Sequence, residues 1–272
     1  MAATHAREFE PLESPTPSGG PTTPPQNETE DTGAVMTLVE HLEELRRRLI
    51  VALIAIAVCT TVAFIFWDPI VGFLLTPLPA ISSNPELIQN GKLVISDPAG
   101  GFMVALKVSI AIGIGIASPI VLYQLWGFLA TGLTNKERKY AAPFTFIGVA
   151  LFAIGLVVGF ITLRYPMDWL LTFGADRFAP LINADSYFTF VAYFLLAFGF
   201  VFELPLVITF LGLVGIINSR MLRQKRLYIL FALWFISCFI TPGADPVSPV
   251  IIGVAFTALF ELSVLLLRAI KR

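Results

Sequence analysis

Glu40-His41-Leu42-Glu43-Glu44-Leu45-Arg46-Arg47-Arg48 is the most densely charged stretch of the chain, and it runs directly into residues 49–67, nineteen positions without a charge. A run of that length is long enough to cross a hydrocarbon core. Three arginines at its start hold that end on the cytoplasmic side. A simple membrane anchor needs only that positive charge, so the carboxylates of Glu43 and Glu44 among the arginines point to recognition.

Composition extends the reading to the whole molecule. The 272 residues are 56% hydrophobic and 14% charged, with 24 phenylalanines and a mean hydropathy of +0.81. A soluble domain carries roughly 25% charged residues, so the pattern is that of a polytopic, all-α integral membrane protein. The two cysteines, Cys59 and Cys238, lie in apolar runs and read as small hydrophobes. No Cys/His/Asp cluster has metal-ligand spacing, and neither a glycine-rich phosphate loop nor a nucleophile elbow is present. We therefore expect no catalytic chemistry, no metal or cofactor and no nucleic-acid partner.

Residues 1–35 are rich in Pro, Thr, Ser and Glu without apolar periodicity, and read as a disordered cytosolic tail. From residue 36 to 272 a single six-helix domain is expected. Thr37 and Glu40 have capping-box spacing, and the first helix is expected to end at Asp68-Pro69 with its span at about 47–67. A proline-rich extended loop should follow. Asp97-Pro98 opens the second span, about 102–129; the others fall at about 140–163, 187–213, 227–241 and 247–267. Only Pro242-Gly243-Ala244-Asp245-Pro246 separates the last two, so they form a tight hairpin whose first arm is short. Thirteen Lys and Arg residues fall on one side of this topology, against Lys92, Arg164 and Arg177 on the other, which puts both termini in the cytoplasm. Trp67, Tyr165 and Trp169 at one border, and Trp126, Tyr140 and Tyr228 at the other, have the spacing of interfacial belts.

Each candidate polar residue carries two readings. Glu43 and Glu44 precede Arg47 and Arg48 by four positions, as in a solvated ion-pair ladder. Glu137 follows Thr134 at capping-box spacing, and Asp245 precedes Pro246 as a helix cap would. Glu203 lies deep in the fourth span with Pro205 two residues on. An ionised glutamate there costs roughly 2.5–3.5 kcal/mol, so it faces a polar cavity, is protonated or has a partner. Lys107 is about ten residues into the second span and is suited to neutralise an acid in the bundle.

The string His41-Leu42-Glu43-Glu44-Leu45-Arg46 strongly resembles the amino-terminal motif of TatC, the six-span core subunit of the twin-arginine protein translocase. The likeness continues through Thr76-Pro77-Leu78, Ser118-Pro119-Ile120-Val121-Leu122-Tyr123-Gln124-Leu125-Trp126-Gly127-Phe128 and Lys136-Glu137-Arg138. Phe202-Glu203-Leu204-Pro205, Leu222-Arg223-Gln224-Lys225-Arg226-Leu227-Tyr228, Thr241-Pro242-Gly243-Ala244-Asp245 and Leu259-Phe260-Glu261 complete it in order. The resemblance implies six helices in a curved, glove-like bundle in a prokaryotic cell membrane. It implies binding of twin-arginine signal peptides, small single-span TatA- and TatB-type partners in homo- and hetero-oligomers, and export of folded proteins on the proton-motive force. It assigns Glu44 and Glu137 to the arginines, Arg46, Pro77, Phe128 and Asp245 to activity, and Glu203 to an intramembrane role. The chain departs from the family at Ser248-Pro249, where a glutamine is usual shortly after the aspartate. The rival from another class is an ion-coupled secondary transporter with Glu203 and Lys107 as relay groups, but the spans show no internal repeat.

Overall fold

The computed structural model describes residues 38–78, 92–131, 141–173, 181–241 and 245–270. From Met36 onward the chain forms one compact unit. Ten helices are described: α1 Leu38–Ile65, α2 Trp67–Leu74, α3 Gly100–Thr131, α4 Ala141–Thr162, α5 Arg164–Thr172, α6 Ala184–Phe202, α7 Leu204–Leu213, α8 Ser219–Gln224, α9 Arg226–Ile240 and α10 Val247–Ile270. Among the described residues, five segments are long and apolar enough to cross a membrane: Val39–Ile65, Gly100–Leu129, Ala142–Thr172, Ala184–Leu213 and Val247–Ala269. The sixth, Arg226–Ile240, is apolar but has only 15 residues, about 22 Å against a core of about 30 Å. The protein is an all-α integral membrane protein, and its fifth span is short as its sequence predicts. Both cysteines are free.

Helix ends differ from expectation in three places. Asp68-Pro69 does not stop the chain's helical course; α1 ends at Ile65, and both residues fall in the first turn of α2. Proline is tolerated there because a first-turn N–H has no intrahelical acceptor to lose. Of the expected extended loop, residues 75–78 form a turn and residues 79–91 lie outside the described residues. The third span continues past a one-residue break at Leu163 into α5, and the fourth is interrupted at Glu203, with Pro205 in the first turn of α7. α8 was also not foreseen; Asn218 caps it by accepting from the Arg220 N–H at 3.5 Å.

α6 lies at the centre. Its Tyr187, Phe188, Val191, Phe194, Phe198 and Val201 are all buried, and the rings of Phe194 and Phe198 pack tilted at 44° with centroids 5.0 Å apart. α1 is peripheral and buries only a narrow side against α3, so Leu42, Leu45 and Leu49 stay exposed. In lipid, apolar exposure costs nothing, and helices associate through close packing and polar contacts. At Gly155, where α4 crosses α6, any Cβ would sit 2.6 Å from the Phe198 carbonyl oxygen, so only glycine permits this approach.

Polar contacts hold the end of the bundle opposite Arg46–Arg48. The Tyr187 hydroxyl donates to the Leu74 carbonyl at 2.7 Å, joining α6 to α2. Val94 pairs with Asn183 and its neighbours, its N–H donating to the Ile182 carbonyl at 3.1 Å. Asn183 caps α6 and donates to the Ser96 hydroxyl at 2.7 Å. Asp97 accepts from the Ala99 N–H at 3.5 Å just ahead of α3, three residues before the helix proper.

Candidate functional site

Two acidic places emerge. The first is at the start of α1. Glu44 and Arg48 are one turn apart, and Arg48 donates from Nε at 2.9 Å and Nη2 at 2.7 Å to the same oxygen, Glu44 Oε1. Arg48 Nη1 also donates to Gln124 Oε1 on α3, at a long 3.4 Å. Glu44 Oε2 is buried and accepts no hydrogen bond from any of the described residues. Next to this pair, His41 stacks on Phe128 with ring centroids 4.5 Å apart. Arg46 is exposed, and Glu43 and Arg47 form no ion pair among the described residues. The ladder expected from spacing is therefore one tight pair docked on α3. Glu137 and Thr134, expected from spacing to form a capping box, lie outside the described residues.

The second place is inside the bundle. Glu203 is 8% exposed at the joint between α6 and α7. Both of its carboxylate oxygens are buried without a partner among the described residues, and so is the indole nitrogen of Trp126 on α3. A Cβ added at Gly148 on α4 would lie 3.2 Å from Glu203 Oε2 and 3.4 Å from Trp126 Nε1. The two orphan groups thus both lie close to Gly148, where a side chain would crowd them. Trp126 corrects the belt reading: it is 2% exposed, packed with Phe144 and Phe210. Composition alone could not find it, because a tryptophan near a span end looks interfacial whichever way it points.

The remaining residues have local work. Lys107 Nζ lies 2.7 Å from Asp185 Oδ1 and also donates to Thr189 at 3.3 Å, clamping α3 to α6. The acid it neutralises is Asp185, not Glu203. Arg226 Nε is 2.8 Å from Glu261 Oε1, pairing the start of α9 with the later part of α10. Asp245 is 4% exposed; it accepts from the Ser248 N–H at 2.6 Å and from the Ser248 hydroxyl at 2.8 Å, capping α10 through both oxygens. The departure at Ser248 thus supplies the donor for the second carboxylate oxygen of the aspartate. Pro77 sits half-buried in the turn after α2, where Leu78 N–H donates to the Leu75 carbonyl at 3.1 Å.

Helices of this length, with one acid held at a charged helix start and another buried in a span, define a multi-pass helical membrane protein. Residues 40–255 match the family model described as Sec-independent protein translocase protein (TatC), and the chain belongs to that family. It is 36% identical over 237 residues to the Sec-independent protein translocase protein TatC of Carboxydothermus hydrogenoformans, covering 87% of this chain and 94% of that one. The Helicobacter pylori (strain 26695) protein of the same name is 35% identical over 235 residues, covering 86% and 88% of the two chains. A crystal structure of the twin-arginine translocase receptor TatC superposes with a TM-score of 0.73 at 31% identity, covering 86% of this chain and all of that one. The role is transport, in a translocase that works with further Tat subunits, rather than catalysis.

Proposed function

We propose that this chain is the receptor core of its translocase, binding twin-arginine signal peptides through Glu44 and Glu137 with Arg46 and Phe128 alongside. Small single-span TatA- and TatB-type subunits join it in a hetero-oligomer that exports folded proteins on the proton-motive force. Both termini are cytoplasmic in the cell membrane, in keeping with the thirteen-to-three distribution of Lys and Arg. Residues 36–272 form the translocase domain and the first 35 a cytosolic tail. Glu203, with Trp126, receives a polar group from a partner helix. Pro77 and Asp245 support transport by shaping the ends of α2 and α10.

The observation that carries the reading is Glu44: a carboxylate held against α3 at the basic end of the first span, one oxygen unfilled by any described residue, beside the His41–Phe128 stack. Guanidinium is planar and permanently charged, and meets a carboxylate through two parallel hydrogen bonds, which an ammonium cannot copy. The test is Glu137→Gln, which preserves capping geometry while removing charge. Loss of one charge-assisted hydrogen bond costs about 1.5–3 kcal/mol, roughly ten- to a hundredfold in peptide affinity. Combined with Glu44→Gln it should cost less than the two separate losses added, since both acids grip one pair of arginines. Wild-type peptide affinity in stably inserted Glu137→Gln protein would reduce Glu137 to a helix cap.

A further inference from the structure

The receptor acid is already occupied by an arginine of its own chain. Arg48 places two donors on Glu44 Oε1, at 2.9 and 2.7 Å, and Oε2 is left buried with nothing to accept from the described residues. Side-chain exposures of 22% for Arg48 and 20% for Glu44 show a pair largely withdrawn from solvent. An incoming guanidinium therefore finds one oxygen taken and the other covered. The seat of Arg48 is built rather than incidental. Its guanidinium lies against Gly127 so closely that any Cβ there would collide with Nη1, and the nearest neighbours of that Cβ are all atoms of Arg48. Gln124, on the same face of α3, offers Nη1 a second acceptor at 3.4 Å.

We propose that Arg48 is a resident competitor, an autoinhibitory guanidinium that holds Glu44 until a signal arginine displaces it onto Gln124. The proposal rests on Glu44 being a signal-peptide acid. The exchange conserves charge pairing at Glu44. Arg48 has the advantage of proximity, one helical turn away in the favourable Glu-before-Arg order. The signal arginine has the advantage of bonding: in fork geometry it fills both oxygens, including the one that rests unfilled and is costly for that reason. The balance sets an affinity threshold for the receptor.

The experiment measures binding of a synthetic twin-arginine signal peptide to the full-length protein in lipid nanodiscs. The proteins are wild type, Arg48→Gln, Gly127→Ala, Glu44→Gln and the Arg48→Gln/Glu44→Gln double variant. Removing an i,i+4 pair of this exposure should tighten binding about two- to fivefold in Arg48→Gln. Gly127→Ala keeps the charge but evicts the guanidinium from its seat, and should tighten binding in the same direction; it also serves if Arg48→Gln inserts poorly. In the Glu44→Gln background the gain should vanish. Weaker binding in Arg48→Gln would overturn the proposal and make Arg48 a support for Glu44. A gain that survives Glu44→Gln would overturn it in favour of simple charge relief. Unchanged affinity in Glu44→Gln alone would instead remove Glu44 from the receptor, and the competitor with it.

Discussion

Asp245→Ala separates a structural duty from a transport duty. Both oxygens of Asp245 are engaged in a buried setting, one by the Ser248 N–H at 2.6 Å and the other by the Ser248 hydroxyl at 2.8 Å. Loss of an N-cap costs about 0.5–2 kcal/mol. Ser248 is itself fully buried, so its hydroxyl is stranded without an acceptor, which adds about 1–3 kcal/mol. Together the change should cost about 2–4 kcal/mol. At about 2–4 °C per kcal/mol for a chain of this size, the unfolding midpoint should fall by roughly 5–15 °C. Asp245→Asn keeps an acceptor for the N–H and should lose less than half as much. Asp245→Ala/Ser248→Ala removes the stranded hydroxyl as well and should recover part of the loss. The assay is thermal unfolding of detergent-solubilised protein, followed by its fluorescence on a size-exclusion column. An Asp245→Ala midpoint within 1–2 °C of wild type would refute the capping argument. Transport lost in Asp245→Asn at near-wild-type stability would assign the carboxylate charge a role beyond capping.

Glu203 should behave in the opposite way. Its oxygens have no partner among the described residues, so Glu203→Gln or Glu203→Leu should leave the unfolding midpoint unchanged or raised, while Glu203→Ala reduces crosslinking to a single-span partner and keeps peptide affinity within a few-fold. Collapse of peptide binding with partner contact intact would reverse the two roles. For topology, a cysteine replacing Arg177 should react with an impermeant thiol reagent from outside sealed cells and one replacing Arg223 should not; labelling at 223 would invert the orientation.

Span number, helix type and the short fifth span were legible in the sequence, because lipid imposes one rule on every segment: about 20 apolar residues with all backbone groups bonded internally. The acids of the candidate site were legible for a related reason, since charge at membrane depth or amid a basic anchor is expensive enough to stand out. What each acid meets was decided only by tertiary structure. Arg47 and Arg48 are equivalent by spacing, yet only Arg48 is seated, because α3 presents Gly127 and Gln124 to that face of α1. Trp126 reads as an interfacial residue until α4 and the α6–α7 joint close around it and leave its N–H, like the Glu203 carboxylate, close to Gly148. Lys107 could have served any acid in the bundle, and the packing of α3 on α6 gives it Asp185. Local sequence sets which groups each helix carries; the rotation and depth at which helices pack, which no local pattern encodes, set which of them meet.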